Sequence, residues 1–560
     1  MRCSIISAST VFCAALLGVT SCGPTTTTCA DYIGCNDAGG AAGRSGTGGA
    51  AGDTSGGGVS GHGGSANGGR SGASGAAGES GAAGTGGMPC DTTKSPSEEP
   101  CLISSDTAIF VAPTGKDAAL GTKAAPVKTI AKALELAGDT KIVIACSGSF
   151  DEQVNITAGA RLYGGFACPN SVAPWTYAAG RKAKVVPSTA GVALSIAAGK
   201  AAVVIEDFEF DAKDGVSPGE SSIAAFVNAS GDVALSRVKL VAGLGADGAD
   251  GGGIATAAAT GATGNSGVAA CVVGTAPNLG GASVESVCGG PLSKGGKGGD
   301  GGADDNSAGT GNGGLPIPQP DNGEGSPGSG ESSIAGWNCN VAAGKGGATA
   351  GANGTSQPDA AGGIGAGTLS STGYTAPSGA NALDGTPGQG GGGGGGAKAP
   401  ACAAKPRTGA SGGSGGGGGC GGKGGGGGKG GGASIALASV SSTVALDHVD
   451  LVAASGGKGG KGGAAQPGGD GGDAGKGASG GLANNSCGGG TGGKGGNGGN
   501  GGGGAGGPSI GIAFVGVAPV QASVNIQIAS TPAVGGADGA AVTTGPSAGS
   551  DGLVANTREF

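Results

Sequence analysis

Five acidic residues crowd one short stretch, Glu206, Asp207, Glu209, Asp211 and Asp214, and no other run of this kind carries so dense an acidic cluster. Paired carboxylates beside a basic side chain can act as acid and base on a glycosidic bond, or hold calcium against an acidic sugar. Three segments align around this cluster: VVIEDFEFDAKDG from Val203, VALSRVKLVAGLG from Val233 and VALDHVDLVAASG from Val444. The alignment puts Asp207, Arg237 and His448 in one column, so Asp207 and Arg237 meet on the surface if their segments stack side by side. Asp207, Asp211 and Arg237 are therefore the candidate sugar-cleaving set. The competing account is an exposed ion pair contributing at most about 1 kcal/mol. Solvent-facing charges are the default on a repetitive fold, so that account is preferred and no catalytic residue is assigned.

Other chemistries lack their parts. The two histidines, His62 and His448, have no nucleophile or cysteine at a useful spacing, and no CxxC pair exists for zinc. In GGGGGCGGKGG from Gly415, Gly424 follows Lys423 where a phosphate loop needs Ser or Thr. GADGADGGG from Gly245 and GGDGGDAGKG from Gly468 lack the apolar residue that pins each turn of a calcium roll. No GxGxxG string follows a strand and opens a helix. No cofactor or metal is expected. A formal charge of −8 with scattered lysines argues against nucleic acid. Aromatic platforms for sugar rings are scarce, with Trp175, Tyr177 and Trp337 the ones placed for stacking.

The elements that must position these residues are short strands. In the aligned copies Ile205, Leu235 and Leu446 correspond, as do Phe208, Val238 and Val449, and then Phe210, Leu240 and Leu451. SIAAFV from Ser222 and SIALAS from Ser434 add a shared upstream strand, and PSIGIAFVGVAPVQASVNIQIAS from Pro508 is a looser fourth copy. Such strands cannot bury an apolar face alone, but coils stacked about 4.8 Å apart can. Glu206, Glu209, Lys239 and Asp450 are then expected to point to water. Thr129–Leu136 has helical spacing, and strands are expected at Lys141–Ala145, Val154–Ile156 and Arg161–Tyr163.

The order FVAPTGKDAALGTKAAPVKTIAKAL, a strand, GSFDEQVNI and then LYGGF resembles the N-terminal cap and first coils of right-handed parallel β-helices related to pectate lyases. The resemblance covers about 60 residues. It implies an all-β, right-handed parallel β-helix solenoid whose N-terminal helix caps the open end. It implies no particular reaction.

Glycine supplies 142 of 560 residues. The tracts at 245–330, 340–432 and 455–507 interrupt the coils and look like insertions at one turn. GGKGGKGG from Gly456 and GGKGGNGGNGGGGAGG from Gly492 are Gly-Gly-X triplets, and a period of three matches a polyproline-II-like helix whose glycine faces let chains approach. The composition resembles the glycine-rich repeats of mycobacterial PE-PGRS surface proteins. Two states follow from it: polyglycine-II-like order, or disorder favoured by the entropy of glycine.

At the N-terminus, Arg2, an apolar stretch from Ile5 to Val19 and small residues before Cys22 form an export signal, too short at about 15 residues to span a bilayer. Val19-Thr20-Ser21-Cys22 resembles the lipobox of bacterial lipoproteins, which implies acylation of Cys22. Gly23 in place of aspartate leans towards the outer membrane. Disulfides are expected among the remaining cysteines; near-neighbour candidates are Cys29 with Cys35, Cys90 with Cys101, Cys146 with Cys168, Cys271 with Cys288, and Cys402 with Cys420, but spacing does not fix the connectivity.

The organisation expected is a signal at 1–21, a Gly/Ala/Ser-rich tether at 22–105, cap and first coils at 106–244, and glycine-rich insertions at 245–432. A coil at 433–455, a Gly-Gly-X tract at 456–507 and a final coil and tail at 508–560 follow. The expected role is that of an outer-membrane lipoprotein, facing the periplasm or the cell surface, in a structural, adhesive or polysaccharide-contacting capacity. A polysaccharide lyase or hydrolase is the alternative.

Overall fold

The computed structural model describes residues 90–272, 277–290, 292–317, 322–332, 336–403 and 405–560. The expected signal peptide, Cys22, Cys29, Cys35 and the tether up to residue 89 lie outside them.

The architecture is almost all β, with three parallel sheets. The first sheet runs through Ala108–Val111, Ile142–Cys146, Ala160–Phe166, Gly199–Glu206, Ser230–Ser236, Val444–Asp447 and Val520–Ala522. The second contains Ser149–Phe150, Ala183–Val185, Phe208–Asp211, Lys239–Ala242, Asp450–Ala453 and Asn525–Gln527, and the third Val154–Ile156, Val192–Ile196, Ser222–Asn228, Ser434–Val440, Ser509–Val515 and Val554–Glu559. From Ile142 onwards the chain visits first, second and third sheet in strict rotation, each strand pairing with its counterpart one circuit away. This arrangement is compatible with a β-helix solenoid.

Stacking supplies the core that single strands cannot. Leu162 pairs with Ile205, Ile205 with Leu235 and Leu235 with Leu446, all buried. Phe210, Leu240 and Leu451 form a second inward column, and Phe208 stacks on Phe210 with ring centroids 5.6 Å apart. Each such side chain contributes about 1.5–3 kcal/mol by leaving water.

Two of the three corners are tight, and they are made by residues in the left-handed conformation. Asp207, Arg237, His448 and Ser523 (φ 58, 52, 53 and 55°) turn the chain from the first sheet to the second, and Ala229 and Ser441 (both φ 48°) turn it from the third to the first. The remaining corner carries the longest excursions, 243–433 and 454–508, while the corner from first to second sheet is opened once, by the 167–182 loop.

Near the N-terminus a helix, Ile130–Ala137, packs Ile130, Ala133 and Ala137 into the main core. Thr129 caps it by accepting from Lys132 N, and Glu152 accepts from Ile130 N and Ala131 N at 2.7 and 3.0 Å. Residues 90–105, assigned to the tether by composition, belong to the folded body instead: Leu102 is buried, Cys90 bonds Cys101, and Lys141 Nζ donates to Ser105 O.

The glycine tracts pack as straight segments joined by backbone hydrogen bonds. Successive donors in 411–432 go to different neighbours: Gly415 N to Gly296 O, Gly416 N to Gly490 O, and Gly417 N to Ala262 O, at 2.8–3.0 Å. The pattern repeats every three residues, so Gly419 N reaches Gly493 O and Cys420 N reaches Ala259 O. A period of three thus aims each third of the backbone at a different partner. Glycine is required by the approach this creates, since a Cβ on Gly416 would lie 2.1 Å from Gly472 O. Where an outer segment lacks a neighbour, side chains supply the acceptor: Asp247 and Asp250 take Lys458 N and Lys461 N, and Asn353 and Asp359 take Lys494 N and Asn500 N.

Three disulfides staple this bundle: Cys271–Cys402, Cys288–Cys420 and Cys339–Cys487. The expected Cys271–Cys288 and Cys402–Cys420 pairs are therefore corrected, because packed segments distant in sequence lie closer than the ends of one straight segment. Cys90–Cys101 and Cys146–Cys168 form as expected. A short antiparallel hairpin inside the glycine insert, Thr368–Ser370 with Gly373–Thr375, lays Leu369 and Tyr374 against the outer face of the third sheet at Ile223, Ile435 and Ile510.

Candidate functional site

The corner column brings Asp207 and Arg237 together. Asp207 N donates to Ser236 O and Arg237 N to Asp447 O, which fixes the two residues one rung apart. Arg237 Nε and one terminal nitrogen each lie 3.0 Å from an oxygen of Asp207, a bidentate fork, and the same terminal nitrogen reaches Glu206 Oε2 at 2.6 Å. Asp207 is only 2% exposed. Tyr177 donates its hydroxyl to Asp207 Oδ2 at 3.2 Å, and Lys182 Nζ donates to the carbonyl of Arg237.

The electrostatics follow from this packing. The hydrogen bond to Asp207 raises the Arg237 pKa well above its ordinary value. Burial, reinforced by the Asp207 charge, pushes the Tyr177 hydroxyl up. Burial also holds the Lys182 ammonium below the ordinary lysine value, against the pull of Asp207 and Asp450.

Asp211 does not join this group. It lies on the second sheet, where Lys184 Nζ bridges it at 2.9 Å and Glu209 at 3.0 Å. Lys184, Glu209, Lys239 and Asp450 occupy one column in register, so cation and anion alternate down the outer face. Asp214, the last of the five acids, accepts from Leu244 N at 2.7 Å. Each acid of the cluster is thus held by a cation or a backbone N–H, and Asp211 is paired with Lys184 rather than with Arg237.

His448 sits exposed on the next rung, its Nδ1 2.8 Å from Asp447 Oδ1. His62 lies outside the described residues. Of the aromatics expected to offer stacking platforms, Trp175 and Trp337 are corrected. Trp175 is 5% exposed, packs edge-on against Phe110 and donates to Lys123 O, while Trp337 is 8% exposed and donates to Ser329 O. Both indoles were drawn inside because each could bury its ring while satisfying its N–H. Tyr177 is half-buried, edge-on to Phe166.

Sequence reasoning missed Lys182 and the Tyr177 contact. Both come from the 167–182 loop, which holds no strand of its own, only an isolated bridge from Tyr177 to Phe166, and hence no period to align. Two shallow clefts of about 250 and 340 Å³ flank the helix end and share Gly138, Asp139, Gly159 and Ala160. Neither is lined by Asp207, Asp211 or Arg237. Among the described residues no group of three or more metal-binding side chains converges.

Residues 113–205 match the family model DUF1565, described as a protein of unknown function and β-helix-like in fold. A solved structure, described as a rhamnogalacturonan lyase, is similar at 9% identity over 24% of this chain and 35% of that one, with a TM-score of 0.15, a likeness that carries no argument about activity. No curated protein matches this chain.

Proposed function

We propose that this chain is an exported, lipid-anchored protein of the outer membrane whose rigid body has a structural or adhesive role at the periplasmic or cell surface. In the finer reading of the fold, the body is a right-handed parallel β-helix capped by Ile130–Ala137, with a polyglycine-II-like bundle grafted on one corner. One observation carries the non-catalytic part: the side chains best suited to cleave a sugar are already engaged. An aspartate gripped by a bidentate guanidinium and buried to 2% exposure offers no free base to a substrate. The anchor rests on the Val19–Cys22 segment.

The test incubates the protein with a panel of acidic and neutral polysaccharides, following new reducing ends, unsaturated products and retention on the polymer. Retention without cleavage identifies an adhesive surface, and neither leaves the structural role. Cleavage abolished by Asp207→Asn makes the protein an enzyme and sinks the reading. For the anchor, Cys22→Ser is expected to move the chain from the membrane fraction to the soluble one; unchanged fractionation would contradict lipidation there.

A further inference from the structure

The two ends of the stacked circuits are built differently. At the N-terminal end the edge strand Ala108–Val111 is covered: Phe110 N donates to Gly121 O, and Val127 N returns to Phe110 O. The helix Ile130–Ala137 closes the core behind it. At the other end Val520–Ala522 and Asn525–Gln527 are the last strands of their sheets, each paired on one side only.

Edge strands are normally protected by charge or by a covering segment. On these two edges no charged residue occurs from Gly516 to Ala537, whereas the preceding circuits carry Lys239, Asp447 and Asp450 at the matching positions; the third edge, Val554–Glu559, carries Arg558 and Glu559. Two of the three inward columns also change: Gln521 follows Leu446 and Thr557 follows Ile512, while the third keeps Ile526 after Leu451, packed with Val524 onto the core. Val520 is 64% exposed beside them.

We propose that this final circuit is an interface for a second copy of the chain, joined tail to tail by strand pairing. The occupant follows from the two ends. The N-terminal edge is covered, which blocks head-to-tail stacking. The two uncharged edges, Val520–Ala522 and Asn525–Gln527, meet no like charge when they meet their own copies. A self-complementary patch on each copy gives a closed two-fold dimer rather than a filament. Backbone N–H and C=O groups, with Gln521 and Asn525 beside them, provide the bonds. The inference goes beyond the surface role proposed above and does not depend on it.

The test is sedimentation velocity on the full chain carrying Cys22→Ser, so that acyl chains do not gather copies into micelles, over a wide concentration range. A monomer–dimer equilibrium is expected. Val520→Lys should weaken it at least about tenfold by setting like charges across the two-fold, with the circular dichroism melt unchanged, while Val216→Lys, on another exposed site, should leave it alone. A chain that stays monomeric throughout, or a dimer indifferent to Val520→Lys, overturns the proposal. A monomer that instead binds a peptide copied from Val444–Asp447 also overturns it, and makes the edge a receptor for a foreign strand.

Discussion

Asp207 shows how one residue can look catalytic in sequence and be structural in space. Its left-handed backbone turns the corner, and its carboxylate ties that corner to the next circuit through Arg237. Removing the cation strands a buried anion, which is more damaging than never having had the pair. Arg237→Ala is expected to lower stability by about 2 kcal/mol, less than the roughly 3–5 kcal/mol of a fully buried pair because the guanidinium is partly exposed. Chemical denaturation measures it, and a loss below experimental error would show the fork to be ornamental. The adjacency of Asp207 and Arg237 was legible because stacked copies keep their columns. The pairing of Asp211 was not, since Lys184, the cation that takes it, lies on Ala183–Val185, a strand outside the aligned copies.

At the scale of elements, the helix start concentrates two carboxylates with opposite behaviour. Burial works to raise Asp117, but the N–H groups of Thr129 and Lys128 overcome it and hold the carboxyl below its usual 3.8. Its contribution is therefore present at neutral pH and lost as pH falls through 3.8 and below. Glu152 is raised, chiefly by burial, so its contribution is present below the usual 4.5 and fades as pH climbs through the raised value. Asp117→Asn is expected to flatten the acid limb of a melting-temperature profile and to move the Glu152 limb to lower pH, because the Asp117 charge adds to the burial that raises Glu152. An unchanged acid limb would remove Asp117 from the account.

The glycine segments allow a sharper contrast. Gly416→Ala forces a Cβ to 2.1 Å from Gly472 O and should cost about 3 kcal/mol or more, whereas nothing lies within 4 Å of a Cβ on Gly252. Gly252→Ala should be neutral or stabilise by about 0.5 kcal/mol by restricting the unfolded chain. Thermal unfolding of both variants distinguishes a packed bundle, where they differ, from a loose coil, where they would not. The helix and the strands Ile142–Cys146 and Val154–Ile156 were visible in the sequence to within a residue, because apolar periodicity marks them, whereas Ala160–Phe166 runs three residues past the expected Tyr163. The glycine segments gave a period but no partners, since glycine carries no side chain from which a register could be read.

At the scale of the whole molecule, a sheet body and a glycine body share one chain by confining the latter to one corner. The third sheet gains from this, its outer face being roofed by the hairpin that carries Leu369 and Tyr374. The cysteines explain what sequence alone withheld. Cys271, Cys288 and Cys339 each find a partner more than a hundred residues away, at separations of 131, 132 and 148. Near-neighbour pairing holds in the first coils, where the chain turns tightly, and fails in the bundle, where straight segments carry sequence neighbours apart. Closing loops of that length restricts the unfolded chain by about 4–5 kcal/mol apiece in the chain-entropy account. That restriction offsets part of the entropy that ordered glycine gives up.

The claim on which the rest depends is that the glycine tracts are an ordered, hydrogen-bonded body. Amide hydrogen exchange on the oxidised full chain, resolved over 411–432, 456–480 and 485–507, tests it most directly. The account predicts protection in these segments comparable to that of Ser434–Val440, strongest at the inward glycines such as Gly416 and Gly493. Exchange at the rate of an unstructured chain, with the strands protected, would contradict it.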